Sequence, residues 1–181
     1  NDDTTMKILD LSREISAEDS DHESKGRTGI FTSGIVSTRD EHQIALFFTG
    51  RKHAGENLSQ VLAQRAAELS APIQMCDGLS RNAPGEFETL LANCIAHARR
   101  QFVDVVESFP EEVRHVLESL REVYRNEATT RKEEMTPEER LHFHQAQSGP
   151  VMEQLEEWLE KQTKERLVEP NSSLGQAIAY M

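Results

Sequence analysis

The order of hydrophobic and polar residues divides the chain into a first half with strand-like alternation and a second half with helical spacing. In the first half, residues 6–11, 29–38 and 43–49 are rich in β-branched or aromatic side chains and predict three strands. Residues 12–27 are almost entirely polar and predict a mobile loop between the first two strands. We therefore expect an antiparallel meander at the start of the fold.

A helix and two more strands are predicted after the meander. Asn57 is expected to cap a helix whose apolar residues recur at intervals of three and four up to Leu69. Residues 73–76 predict a strand that ends on Asp77, and residues 89–95 predict a further short strand. Because strand, helix and strand in this order imply a parallel crossover, we expect one mixed five-stranded sheet in an α/β fold.

From His97 onward the apolar residues follow the spacing of helices. Thr136-Pro137-Glu138-Glu139 predicts a helix start, because it supplies an N-cap, a first-turn proline and a glutamate at the capping-box position. Ser148-Gly149-Pro150 predicts a break or a restart. We expect residues 1–96 to form the sheet-containing core and residues 97–181 a C-terminal helical segment and insertion.

Composition and charge restrict the classes of function. No apolar run approaches the ~20 residues needed to cross a bilayer, so we expect a cytoplasmic protein without membrane partners. Cys76 and Cys94 lack CxxC spacing, which favours reduced, buried thiols. The net charge of −12 indicates that this segment is not the main DNA-binding surface. The absence of GxSxG, GxxxxGK and GxGxxG argues against serine hydrolases, P-loop nucleotidases and Rossmann enzymes.

Six ordered motifs carry a family resemblance. The most specific of them is Cys-x-Ala-His-Ala-Arg-Arg-x-Phe, which begins at Cys94 and ends at Phe102. The chain resembles the insertion-sequence sixty-six family of transposases, and the order of its predicted elements is that of the ribonuclease H-like fold. The motifs are Asp2-Asp3-Thr4-Thr5, His53-Ala54-Gly55-Glu56-Asn57-Leu58, Met75-Cys76-Asp77, residues 93–102, Ser148-Gly149-Pro150-Val151-Met152 and residues 169–175.

The resemblance implies a metal site with three carboxylates. Asp2 matches the first acid and Asp77 the second, whereas the third, a glutamate, has no counterpart before the chain ends. Two Mg²⁺ or Mn²⁺ ions, on the order of 4 Å apart, are expected in the complete site. From position alone, Asp77 reads instead as a strand-end residue that caps the turn beginning at Gly78. Two departures concern the substrate side: Ile95 replaces a tryptophan, and residues 78–81 replace a tyrosine-containing turn.

Four basic residues are candidates for contact with DNA. Arg99 and Arg100 suit phosphate oxygens, although they would equally pair with the abundant carboxylates. Lys52 and His53 face either DNA or solvent in the loop before the first helix.

Four other residues are not favoured as metal ligands. His142 and His144 lie two residues apart, which places them on different faces of a helix. A hydrogen-bonded His97 beside a buried Cys94 is favoured over a zinc half-site, which would need about four ligands.

Three functions follow as hypotheses. The first is part of a DNA transposase that cuts and joins strands as a homo-oligomer on transposon-end and target DNA, inactive as this isolated chain. The second is a truncated, non-catalytic remnant or assembly scaffold that lacks the third acid. The third, ranked last, is a different ribonuclease H-like nuclease.

Overall fold

The computed structural model describes residues 2–6, 29–39, 42–66 and 68–181, with residues 2–6 described as backbone. No helix within these ranges is both long and apolar enough to cross a membrane. Both cysteines are free thiols; Cys76 is buried, as the sequence predicts, whereas Cys94 is only half-buried.

The chain forms two compact units, Asn1–Cys94 and Ile95–Met181. The first contains the described strands and a single described α-helix, and the second contains five described helices. The functional roles expected for the two halves remain predictions.

Three strands of the first unit form an antiparallel meander: β1 (Asp2–Met6), β2 (Ile30–Arg39) and β3 (His42–Gly50). Asp2 lies opposite Gly34 in the register of β1 and β2. The meander confirms the expected order. Its first strand, however, begins earlier than predicted, because Thr4 and Thr5 supply the β-branched residues within a polar segment. Residues 7–28, which include the predicted loop, lie outside the described residues.

The remaining elements of the first unit are α1 (Ala54–Leu62), β4 (Ile73–Cys76), a 3₁₀ turn (Ser80–Asn82) and β5 (Leu90–Asn93). β4 pairs with β5 in parallel, with Ile73 opposite Leu90. Within the described part of the chain, the strands therefore form a three-stranded and a two-stranded sheet, and not one sheet of five. Hydrophobic alternation predicts where strands lie, but it does not specify which backbone edges pair.

The predicted limits of two elements are wrong. α1 begins after His53, whose backbone N–H donates to Glu56 Oε2 at 2.8 Å and so closes the first turn four residues before the expected cap, Asn57. The helix also ends at Leu62, well before Leu69. The last predicted strand is shortened because Ile95 already begins a helix.

The second unit is helical, as the sequence predicts. A proline occupies the first turn of three of its helices, and Thr136 Oγ1 accepts from Glu139 N at 3.3 Å in the expected capping box. The helices are α2 (Ile95–Val103), α3 (Pro110–Lys132), α4 (Pro137–Gln147), α5 (Gly149–Lys164) and α6 (Ser173–Tyr180). Their apolar sides form one core around Phe102, Val113, Val116, Leu120, Leu155, Leu159, Val168, Leu174 and Ala177.

Candidate functional site

Asp77 follows β4 directly and is half-buried. Its Oδ1 accepts hydrogen bonds from the backbone N–H of Leu79 at 3.3 Å and from Nδ2 of Asn82. Among the described residues, none donates to Oδ2. The carboxylate therefore caps the following turn, as the positional reading expects, and one of its oxygens stays available to a cation.

A polar layer supports this carboxylate. The buried Gln74 of β4 donates from Nε2 to the carbonyl oxygen of Asn82 at 2.7 Å. Thr89, just before β5, donates from Oγ1 to Gln74 Oε1 at 3.0 Å. The loop after Asp77 is thus tied to β4 at one end and to the approach to β5 at the other.

Asp2 lies on the edge strand β1, and Asp3 follows it opposite Ser33. As far as the described residues go, β1 and β4 are assigned to different sheets, and the approach of Asp2 to Asp77 stays a prediction. In the described ranges, no three His, Cys, Asp or Glu side chains are grouped to hold a metal ion.

Lys52 and His53 take part in the entry to α1. The His53 ring packs against the Phe31 ring with a centroid distance of 4.3 Å, and His53 is the N-cap of the helix. The carbonyl oxygen of Lys52 accepts from Asn57 Nδ2 at 3.4 Å. Both residues therefore have structural contacts, and their contact with DNA stays a prediction.

Gly55 and Asn57 are structural residues whose roles the sequence reasoning missed. A Cβ on Gly55 would lie 2.1 Å from the carbonyl oxygen of Ala83 and 2.7 Å from that of Arg81. Asn57 is buried inside α1 and donates to Ser33 Oγ at 3.0 Å, which ties the helix to β2. A glycine and an asparagine inside an amphipathic helix are the sequence signal that would have indicated this close packing.

Arg99 and Arg100 are exposed on α2. Within the described part of the chain neither forms an ion pair, so the alternative reading of pairing with local carboxylates is not observed. His97, on the same helix, has a buried Nδ1 without a hydrogen-bond partner among the residues that the structure describes. The hydrogen bond expected for His97 is therefore absent at this nitrogen.

The sequence pattern that defines the Transposase IS66 family matches residues 1–181, the whole of the chain. The chain belongs to the IS66 family of transposases. This match confirms the resemblance carried by the six motifs.

A curated relative of this transposase-family chain is "Uncharacterized protein y4jD" of Sinorhizobium fredii (strain NBRC 101917 / NGR234). The two are 38% identical over 153 residues, which cover 83% of this chain and 26% of the relative. The chain thus spans about a quarter of that relative's length. No solved structure matches the chain.

Two further motifs of the transposase-family chain fix helix ends in its second unit. Ser148 Oγ accepts from Asn126 Nδ2 at 3.2 Å and lies 2.8 Å from His144 Nδ1. Ser172 Oγ accepts from the backbone N–H of Gly175 at 3.0 Å and so caps α6. A Cβ on Gly175 would lie 2.3 Å from the carbonyl oxygen of Glu169. Ser172 and Gly175 therefore act through a helix cap and a close backbone contact, whereas the side chain of Ser148 connects α3 to the end of α4.

Proposed function

We propose that this chain is part of the catalytic core of a DNA transposase, which cleaves and joins DNA strands with divalent cations bound by Asp2 and Asp77. The observation that carries the proposal is the Asp77 carboxylate at the end of β4. Its Oδ1 is engaged by the following turn, while its Oδ2 receives no hydrogen bond from the described residues. An oriented carboxylate with one available oxygen suits a hard cation such as Mg²⁺.

Asp77 supplies one oxygen donor, and Asp2 is proposed as the second. Two Mg²⁺ or Mn²⁺ ions, when bound, would stabilise the charge on the attacking and leaving oxygens of the phosphodiester. The protein's own contribution is to hold these carboxylates and to position the DNA strand beside them. The described residues contain no group of three side chains that could hold a metal ion. We propose that a third acid completes the site in the whole protein.

In a ribonuclease H-like sheet, the strand that carries Asp2 and the strand that ends at Asp77 would be neighbours. β1 is an edge strand of its sheet, and β4 is an edge strand of the two-stranded sheet. Among the described residues, β1 pairs with β2 and β4 pairs with β5, so a direct pairing of the two strands is part of the proposal.

DNA would meet the protein partly at Arg99 and Arg100. Both guanidinium groups are exposed, and neither is engaged in an ion pair with described residues. Guanidinium groups donate two parallel hydrogen bonds to phosphate oxygens. Because the chain carries a net charge of −12, we propose that other parts of a homo-oligomer supply most of the grip on transposon-end and target DNA.

The test uses the full-length transposase and nicked DNA that carries its transposon ends. Asp77→Asn and Asp2→Asn should each lower Mg²⁺-dependent cleavage on the order of 10³-fold, because a bound metal supplies several kcal/mol of transition-state stabilisation. Calorimetric Mn²⁺ binding should weaken in both variants. Glu86→Gln, an exposed acid in the loop after the 3₁₀ turn, is the matched control and should retain both properties.

The alternative function is a non-catalytic assembly scaffold. It is favoured by the lack of a three-ligand metal group among the described residues. On this reading the Asp2 and Asp77 variants would bind DNA and Mn²⁺ as the wild type does, and no variant would change cleavage. That result would contradict the catalytic proposal.

A further inference from the structure

Asn82 is the hydrogen-bond donor that holds the Asp77 carboxylate from inside the protein. Its side chain is 1% exposed, and its Nδ2 donates to Asp77 Oδ1. Its backbone is fixed as well, because its N–H donates to the carbonyl oxygen of Leu79 at 2.9 Å and its carbonyl oxygen accepts from Gln74 Nε2. The donor is therefore presented from a constrained backbone.

The loop that carries Asn82 is held from a second side by α1. The close approach of Gly55 to the carbonyl oxygens of Arg81 and Ala83 brings the helix against both neighbours of Asn82. Ser59 Oγ donates to the carbonyl oxygen of Pro84 at 2.6 Å. β4 and α1 thus hold the loop together, and a functional side chain supported in this way keeps a defined orientation.

Closing the turn does not by itself require this buried amide. The backbone N–H of Leu79 already donates to Asp77 Oδ1, which is the usual interaction of an aspartate that begins a turn. Burying an amide side chain costs free energy unless its polar atoms find partners. The structure directs the Asn82 donor to the carboxylate that the proposed function places at the metal.

We propose that Asn82 is a positioning residue that restricts Asp77 to one-oxygen coordination of the cation, an inference that rests on the proposed function. The Asn82 amide and the Leu79 N–H both donate to Oδ1, and Oδ2 is the oxygen left for the metal. Mg²⁺ requires near-ideal octahedral geometry, whereas the larger Ca²⁺ accepts carboxylates through both oxygens. Asn82 therefore favours Mg²⁺ and Mn²⁺ over Ca²⁺ at Asp77.

The experiment measures Mn²⁺ and Ca²⁺ binding to the full-length protein by calorimetry. In Asn82→Ala and Asn82→Leu, the Mn²⁺ affinity should fall about 10- to 100-fold, the usual effect of removing a residue that orients a metal ligand. The Ca²⁺ affinity should fall less, so the ratio of the two affinities should shift towards Ca²⁺. The leucine variant preserves most of the buried volume without the donor, and Asn93→Ala, at an exposed asparagine of β5, is the control.

Hydrogen exchange of residues 73–93 separates positioning from folding. A shift in the metal ratio with wild-type exchange supports the proposal. Equal losses for both metals, with faster exchange in both variants, would overturn it in favour of a purely structural role. Unchanged binding in both variants would overturn it as well, while a loss in Asp77→Asn would leave the proposed function standing. If Asp77→Asn also binds both metals normally, the proposed function itself fails.

Discussion

The two units of the chain are held together by different means. In the second unit, nine buried apolar residues form one continuous core across the helices. In the described part of the first unit, the buried apolar residues include Ile35, Ala54, Leu58 and Cys76, and the buried polar residues include Ser33, Asn57, Gln74 and Asn82. Hydrogen bonds are directional and apolar burial is not. The first unit, which contains Asp77, is thus the one in which hydrogen bonds in the interior fix the orientation of side chains.

The same contrast holds at the surface. In the first unit Phe47 and Ile73 are 74% and 75% exposed, whereas the largest exposure among the large apolar residues of the second unit is 61%, at Leu167.

Hydrogen bonds in proteins contribute about 1 kcal/mol each, and burying a large apolar side chain contributes about 1.5–3 kcal/mol. Substitutions in the second core should therefore have larger effects on stability than those in the polar contacts of the first unit.

The largest effect is expected at Phe102, which is fully buried in the second unit. Phe102→Ala should lower the free energy of unfolding by about 3–5 kcal/mol, because it removes apolar contacts and leaves a cavity. Urea unfolding followed by the fluorescence of Trp158, the one tryptophan of the chain, measures the change. Leu141→Ala, at an exposed position of α4, should change it by less than about 0.5 kcal/mol. Equal effects of the two substitutions would contradict a continuous core.

An intermediate effect is expected at Gly55. Gly55→Ala should destabilise the first unit by about 1–3 kcal/mol, because the new methyl group would overlap the carbonyl oxygen of Ala83. Faster hydrogen exchange in residues 54–62 and 81–84 is the expected readout. Gly50→Ala is the matched control, since its Cβ would meet nothing within 4 Å. If both substitutions leave exchange unchanged, α1 does not clamp the loop.

The smallest effect is expected at Glu127, whose charged side chain connects α3 to α4 in the second unit. Its carboxylate accepts hydrogen bonds from Arg131 Nε at 2.8 Å, Arg140 Nε at 3.1 Å and His144 Nε2 at 3.0 Å. Burial raises the pKa of Glu127, but the hydrogen bonds from Arg131, His144 and Arg140 outweigh it and lower the pKa to about 2. Glu127→Gln should cost about 1 kcal/mol at pH 7, since the arginines are largely exposed.

The pH dependence gives this prediction its sign. Because the pKa of Glu127 is lower in the folded protein than its ordinary value of 4.5, its stabilising effect is complete above pH 4.5 and is lost as the pH falls towards 2. Thermal unfolding of the wild type and of Glu127→Gln at pH 7 and pH 3 should show a smaller difference at pH 3. A difference that stays constant between these pH values would exclude the Glu127 charge as its source.

The sequence predicted local elements well where the determining residues are neighbours in the chain. The capping box at Thr136 and the restart at Ser148 depend on neighbouring residues, and both occur where expected. The start of α1 was misplaced because His53 is an unusual N-cap and Asn57 is a common one. Asn57 instead uses its amide in a contact with Ser33, 24 residues away, and local spacing does not encode such a partner.

The candidate site was predictable only in part for the same reason. The motif match gave Asp77 and the family, and the structure places Asp77 at the predicted end of β4. The roles of Asn82, Gln74 and Gly55 depend on contacts between a loop, a strand and a helix. Strand pairing has the same limit, since the backbone edge of β4 has no side-chain signature that distinguishes one partner strand from another.

Ser148 joins α4 to α5 with no other residue between the two helices. Because each residue turns a helix by about 100°, adding one residue at this joint would rotate α5 by roughly that angle and carry Leu155 and Leu159 away from the core. Adding a whole turn of about four residues would nearly restore the angular phase. The number of residues between α4 and α5 therefore sets which face of α5 meets the core. We expect insertions of about one whole helical turn to be tolerated here better than the insertion of a single residue.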